Sequence, residues 1–240
     1  MYRRLIIVRH GQSIWNLDSK FTGWTDIPLT KVGEQEAVKM AEKMKQHNLT
    51  PKVIFTSALT RSLQTSEIIK QGLYDFDIPV LPSWRLNEKH YGRLEGVPRQ
   101  YIRELYGMEY TKRLRRDFYM LPPLIRDKPH SLTSPTSPTS QNYPIYRNKY
   151  YDTIKDGESK ENVYNRVIPF FNRFIMPCVE KGDLPLMVTH KHTIRVLMKY
   201  IQGITDEDFQ EYNIPANKIM CIVFDENNNF RSVTYYKYLI

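Results

Sequence analysis

The chain has 240 residues, 41% of them hydrophobic, which suits one large or two small domains with a sizeable buried core. Its 35 basic residues outnumber 26 acidic ones for a net charge of +9, which attracts anions of any kind: nucleic acid, an acidic membrane surface or small phosphate esters. Two distant cysteines, Cys178 and Cys221, supply neither a disulfide framework nor a metal-ligand spacing. No stretch approaches the ~20 apolar residues of a membrane helix, so a soluble protein of the reducing cytoplasm is expected.

Met1 to Arg4 carries the charge of a signal peptide's first region, but the apolar run Leu5 to Val8 is too short to be its core. That run is continuous, the pattern of a strand buried on both faces of a parallel sheet. A loop follows, and Thr30 can cap a helix to about Asn48 with Val32, Ala37, Met40, Ala41 and Met44 on one face. Val53 to Thr56 predicts a second buried strand. Ser57 can cap the next helix, which carries Leu59, Leu63, Ile68 and Ile69 and ends at Gly72.

Strand, helix, strand, helix predicts an α/β fold with right-handed crossovers. Beyond it, Arg99 to Tyr106 and Glu109 to Phe118 look helical, with Pro122 and Pro123 as a stop. Residues 131–140, SLTSPTSPTS, have too little apolar surface for a core and predict a mobile surface loop. Ser159 can cap a long helix to about Glu180 carrying Val163, Val167, Phe170, Phe171 and Phe174. Leu186 to Thr189 predicts a strand, Thr193 to Gln202 a helix, and Ile219 to Phe224 with Ser232 to Tyr238 a hairpin. The expectation is one domain over 1–240 with an insertion at about 92–157.

Two apolar runs break abruptly into histidine: Leu5 to Val8 into Arg9-His10, and Leu186 to Thr189 into His190-Lys191-His192. In open parallel sheets, ligands bind beyond the carboxyl ends of the strands. If the two strands are neighbours, His10, His190 and Arg9 meet in one crevice, joined by Arg61 from the start of a helix. Such a set suits phosphoryl transfer. Guanidinium groups match phosphate oxygens and stay charged, and a neutral imidazole nitrogen can carry a phosphoryl group while its other nitrogen is held.

The segment Leu5 to Asn16 resembles the RHG signature of the histidine phosphatase superfamily. Phe21 to Leu29, Ser57 to Thr65 around Arg61, and Trp84 to Gly92 are similar to its cofactor-dependent phosphoglycerate mutase branch. The resemblance runs from about residue 4 to the C-terminus, apart from the low-complexity loop, and implies a three-layer sandwich with a mostly parallel central sheet. It implies His10 as phospho-acceptor, Arg9, Arg61 and His190 as the phosphate pocket, and Glu88 as proton donor and acceptor. Ser13, Asn16, Thr22 and Gly23 match contacts to phosphate and substrate. Tyr91, Arg99, Arg115 and Arg116 match positions that bind a phosphoglycerate's carboxylate and second phosphate. The implied activity interconverts 3-phosphoglycerate and 2-phosphoglycerate, primed by 2,3-bisphosphoglycerate without a metal, in an enzyme that is often a dimer or larger.

Two departures bear on the activity. His190-Lys191-His192-Thr193 stands where the family usually has His-Gly-Asn-Ser, so Lys191 either points away or enters the pocket as an extra cation, and His192 replaces an amide. The sequence also stops at Ile240, where mutases of this group typically continue into a flexible closing tail; without one, hydrolysis of phospho-His10 is expected to compete better with transfer. The alternatives are a phosphatase on the same residues, a catalytically silent phosphate-ligand binder, or a metal site at His190 and His192. Nucleic-acid binding would explain the charge, but no motif supports it.

Overall fold

The structure is a computed structural model describing residues 3–74, 77–124 and 156–238. Arg3–Arg9 forms β1, followed by a short helix α1 (Ile14–Leu17) and by α2 (Lys31–Gln46); β2 (Ile54–Ser57), α3 (Thr60–Gly72) and β3 (Val80–Ser83) come next. After α4 (Arg99–Arg116), α5 (Lys160–Phe170) runs through a π-turn at Phe171–Ile175 into α6 (Met176–Glu180). Then come β4 (Leu186–Thr189), α7 (Lys191–Gln202), α8 (Asp206–Glu211) and the hairpin β5 (Lys218–Phe224) and β6 (Phe230–Lys237).

The six strands form one sheet in the order β3-β2-β4-β1-β5-β6. β1, β2, β3 and β4 are mutually parallel and β5 runs against β1, which gives the expected mostly parallel sheet. Side chains of β1 alternate between its faces. Leu5 and Ile7 join Val163, Val167, Ile194 and Leu197 of α5 and α7, whereas Ile6 and Val8 join Met40, Met44 and Ile69 of α2 and α3. Helices therefore cover both faces, and β1 and β4 lie at the centre. A third, smaller cluster of Phe21, Tyr91, Leu94, Val97, Ile102 and Leu114 ties α4 to the loop after β1.

Several local expectations need correction. Ser57 does not cap α3, which starts at Thr60 after Leu59; its hydroxyl is committed elsewhere, as described below. The buried face of α3 is largely polar, with Arg61, Ser62, Thr65 and Ser66 inside, because it faces the site rather than the apolar core. Val32 is 41% exposed, since Gly33 takes the inward position at the start of α2. Phe174 is 47% exposed: the π-turn adds a residue to the helical cycle and rotates it off the buried stripe. The 99–118 segment breaks at Gly107 (φ 83) as two helices would, and ends at Arg116, before the prolines. Residues 131–140 lie outside the described residues.

The edge strand β3 was not evident in sequence. It is four residues long and contains Pro82, which a sheet tolerates at its edge.

Candidate active site

The register of β1 against β4 sets Val8 opposite Val188 and Arg9 opposite Thr189. The next residue of each strand is a histidine, and the His10 N–H donates to the Thr189 carbonyl at 3.0 Å. The two imidazoles lie with centroids 4.8 Å apart. Their surroundings differ. His10 Nδ1 is 2.6 Å from the Gly11 carbonyl, which only accepts, so the network assigns the proton to Nδ1 and leaves the Nε2 lone pair for chemistry.

His190 is held the other way round. Ser57 Oγ donates to Asn87 Oδ1 at 3.0 Å, and that oxygen also accepts from the Ala58 N–H at 3.0 Å. Ser57 is therefore the acceptor for His190 Nε2, 2.8 Å away, while His190 Nδ1 is buried without a hydrogen-bond partner. Burial first, then the neighbouring guanidinium groups, keep both imidazoles well below their ordinary pKa, so both are neutral at pH 7.

Arg61, at the start of α3, is fully buried and donates to the carbonyls of Thr25 at 2.9 Å and Gly23 at 2.7 Å. Burial lowers it to about 10, leaving it charged at neutral pH. Arg9 Nη2 donates to Asn16 Oδ1 at 3.2 Å. Gly23 has φ +56, and a Cβ there would sit 1.9 Å from Glu95 Oε1, so this turn requires glycine. Glu95 fixes the turn by accepting from the N–H groups of Trp24, Thr25 and Tyr91 and from the Thr25 hydroxyl.

Glu88 Oε1 accepts from the N–H of Lys89 at 2.8 Å and from the N–H of His192 in the first turn of α7 at 3.2 Å. Burial raises its carboxyl above the ordinary range, against the opposing effects of the Lys89 N–H, Arg61 and Arg9. Its backbone carbonyl accepts from Trp24 Nε1 at 2.6 Å and Arg166 Nη2 at 2.9 Å. Arg166 is itself held by Glu158 through two hydrogen bonds of 2.7 and 2.9 Å.

These groups surround a cavity of about 130 Å³. Its wall holds Arg9, His10, Asn16, Thr22, Gly23 and Arg61 from the β1 side and α3, and Glu88, Tyr91, Arg99, Arg115, Lys191 and His192 from the other. Lys191 therefore enters the cavity. Burial and then Arg115 and Arg9 lower its ammonium to about 8. Its φ is not in the left-handed region, so this backbone does not need the family's glycine. Tyr91 Oη and His192 Nε2 are 2.8 Å apart.

Three residues singled out in sequence do not line the cavity. His190 stands beside His10, next to the wall. Ser13 caps α1, accepting from the Asn16 N–H at 3.4 Å. Arg116 turns outward to Glu211 at 2.5 Å and to the Gln210 carbonyl, because it is one helical position past the inward-facing Arg115. Among the described residues no group of three or more His, Cys, Asp or Glu side chains could hold a metal ion; His190 and His192 turn to different partners, Ser57 and Tyr91. No helix of the described residues is long and apolar enough to cross a membrane.

A family model described as the histidine phosphatase superfamily (branch 1) matches residues 5–133 and 136–236. The chain belongs to the histidine phosphatase superfamily. Among similar superfamily members, a 2,3-bisphosphoglycerate-dependent phosphoglycerate mutase of Buchnera aphidicola is 37% identical over 238 residues, 98% of each chain. A protein of that name from Neisseria meningitidis is 35% identical over 223 residues, 93% of this chain and 95% of the relative. Among solved structures, a mycobacterial glucosyl-3-phosphoglycerate phosphatase superposes with a TM-score of 0.71 at 20% identity, covering 99% of this chain and 100% of that one. A phosphoglycerate mutase from Bacillus anthracis gives 0.67 at 16%, covering 98% and 92%. At such identities these structures show the superfamily's fold, which this chain shares.

The superfamily signature does not reveal the residues that support its histidines here. Ser57 is expected from sequence only as a helix cap, and Asn87, Arg166 and Glu158 are not among the expected site residues. Ser57, which ends β2 as His10 follows β1, and Asn87, which precedes Glu88, stood at positions where strand ends or motif neighbours would have pointed to them.

Proposed function

We propose that this protein is a phosphoglycerate mutase that interconverts 3-phosphoglycerate and 2-phosphoglycerate through a phosphohistidine at His10, primed by 2,3-bisphosphoglycerate. The observation that carries the proposal is the fixed tautomer of His10 beside a cation-rich cavity that also contains a buried carboxyl with a raised pKa. The names of the relatives at 35–37% identity support the mutase assignment. The donor set suits the priming anion: Arg9, Arg61, Arg99, Arg115 and Lys191 all line a cavity in which Glu88 is the one acidic side chain among the described residues.

His10 Nε2 attacks the phosphorus of the donor and the bond from phosphorus to the donor oxygen breaks, while Glu88 gives its proton to that leaving oxygen. Arg9 and Arg61 hold the peripheral oxygens as charge shifts onto them, with neutral His190 packed beside His10. In the return step the hydroxyl of the bound glycerate gives its proton to Glu88 and attacks phosphorus, and His10 leaves with its lone pair. Arg99, Arg115 and Tyr91 hold the carboxylate and the phosphate that stays. Asn16, Thr22 and Gly23 contribute amide, hydroxyl and backbone contacts, with His192 and Lys191 beside them.

One observation favours a phosphatase as the second reading. A separate cavity of about 160 Å³, lined by Gln12, Glu36, Pro215 and Asn217 among others, reaches Arg9 and His10 from the β5 side. It offers water an approach to phospho-His10 that does not pass the substrate, and water near a phosphoenzyme diverts it to hydrolysis.

Phosphorus NMR of the protein with 3-phosphoglycerate and a trace of 2,3-bisphosphoglycerate separates the two. The mutase proposal expects 2-phosphoglycerate well ahead of inorganic phosphate. Phosphate first establishes the phosphatase, and neither product refutes both.

A further inference from the structure

The carboxyl end of α4 passes into extended backbone at Asp117, with no left-handed turn to close it. Helix ends leave their last carbonyls without intrahelical partners, and here buried side chains from three other segments take them. Lys89 Nζ donates to the Leu114 carbonyl at 3.1 Å and to the Met120 carbonyl at 3.4 Å. Arg195 Nη1, from α7, donates to the Arg115 carbonyl at 3.1 Å, and Lys160 Nζ, from α5, to the Asp117 carbonyl at 2.6 Å. Lys89 and Lys160 are 0% exposed and Arg195 2%. Among the clamped carbonyls lies Arg115, whose side chain lines the phosphoryl cavity.

Apolar packing alone holds this part of α4 weakly. After the break at Gly107, the helix buries Thr111 and Leu114 and leaves the rest half-buried or exposed. Its position is therefore set at its end rather than along its length.

Of the three clamping side chains, Lys160 stands in the least favourable place. It is the first residue of α5, where the helix dipole disfavours a cation. Burial first, then the neighbouring cations Lys89 and Arg195, lower its pKa well below the ordinary lysine range, against the opposing effects of Asp117 and Glu88. A lysine pKa lowered on folding subtracts from stability at neutral pH, and an apolar side chain of similar length would fill the space without that penalty. What Lys160 supplies is the hydrogen bond to Asp117, and with it the place of the last turn of α4.

We propose that Lys160 is a positioning residue for anion binding: together with Lys89 and Arg195 it fixes the last turn of α4 and so sets Arg115 in the phosphoryl cavity. Lys160 is not in the wall of that cavity and acts through Arg115 alone. The inference rests on the proposed reading of the cavity as a phosphate-ester site, and not on which ester turns over.

Lys160→Met keeps the length of the side chain and removes the donor. Isothermal titration calorimetry of the full chain with pyrophosphate reads the cavity without turnover. Lys160→Met is expected to weaken pyrophosphate about fivefold, while its urea unfolding midpoint stays at or above that of the unchanged protein. Arg115→Gln is expected to weaken pyrophosphate about tenfold. Adding Lys160→Met to Arg115→Gln should then change the affinity by less than about 1.5-fold, because the two act as one unit. With 3-phosphoglycerate, Lys160→Met should raise KM about fivefold and leave kcat within about twofold.

Unchanged pyrophosphate affinity in Lys160→Met overturns the proposal, as does a full effect in the Arg115→Gln background or a fall in kcat with KM unchanged. An unfolding midpoint that falls together with the affinity overturns it too, since Lys160 would then support the fold as a whole. Unchanged protein that binds pyrophosphate but does not turn over 3-phosphoglycerate refutes the mutase assignment and leaves the inference to be decided by the double-variant cycle. Unchanged protein that binds no pyrophosphate refutes the reading of the cavity and the inference with it.

Discussion

The Nδ1–H of His10 donates to the carbonyl of the adjacent Gly11 at 2.6 Å, so the tautomer of this imidazole is fixed by its own backbone. With His10 as the phospho-acceptor proposed above, phosphorylation is expected at Nε2. Two-dimensional NMR of the acid-quenched or trapped phosphoenzyme is expected to show the Nε2 isomer, and His10→Ala is expected to show no phosphohistidine and no turnover. An Nδ1 isomer would contradict the assigned tautomer.

Ser57 acts on the phosphate site through His190. With its own proton committed to Asn87, its Oγ is the acceptor that keeps His190 Nε2 protonated and its Nδ1 available. Ser57→Ala removes the hydrogen bonds of Oγ with Asn87, His190 and the Leu59 N–H, each worth about 1 kcal/mol, and lets the ring change tautomer. We expect kcat to fall about tenfold with KM within twofold; a change in KM alone would show that Ser57 matters only for binding.

Under the proposed mechanism, Glu88 and His10 should set opposite limbs of the pH profile. As a proton donor Glu88 must be protonated, a form lost as pH rises through its raised value; burial is the main cause of that rise. As a nucleophile His10 must be neutral, a form lost as pH falls through its lowered value. The rate of His10 phosphorylation should therefore keep an acid limb well below pH 6.5 and fall on the alkaline side of Glu88. In Glu88→Gln the plateau should drop by about 10²–10⁴ and the alkaline limb should vanish. Its survival in that variant would mean that another group donates the proton.

Glu158 and Arg166 form a buried pair beneath Glu88, with side-chain exposures of 0% and 6%. Glu158→Gln leaves the guanidinium without a counter-charge, at a cost of about 3–5 kcal/mol, measurable by denaturant unfolding. Arg166 also donates to the Glu88 carbonyl, so this loss should be accompanied by a lower kcat.

Gly11 and Gly33 meet backbone to backbone. A Cβ on Gly11 would lie 2.2 Å from the Gly33 carbonyl oxygen, and no flexible side chain is available to move aside. Gly11→Ala should cost about 1–3 kcal/mol of stability and displace His10. If the loss of activity exceeds the loss of folded protein, the displacement is established.

Much of this arrangement was legible in sequence because the central strands are marked by sharp changes of composition. The runs before His10 and His190 are wholly apolar, and their ends declare themselves. Glu88 and the cations of α4 were legible only through resemblance, since an isolated carboxyl or an Arg-Arg pair looks like any solvated helix face. What stayed hidden depends on three-dimensional register. Helical phase decides that Arg115 turns in and Arg116 out, and the π-turn alone moves Phe174 to the surface. Ser57 read as a helix cap because the same hydroxyl chemistry serves a cap and an imidazole.

In the proposed mechanism, the histidines and the outer cations belong to different parts of the chain. The histidines extend from central strands whose neighbours are fixed on both faces, whereas most outer cations belong to α4, which breaks at Gly107 and is anchored through the small cluster around Leu94 and Leu114. Replacements along the exposed positions of α4 can alter which anion is held without moving the nucleophile. Under the proposed function, this division marks α4 as the segment to exchange when a different anion is to be held.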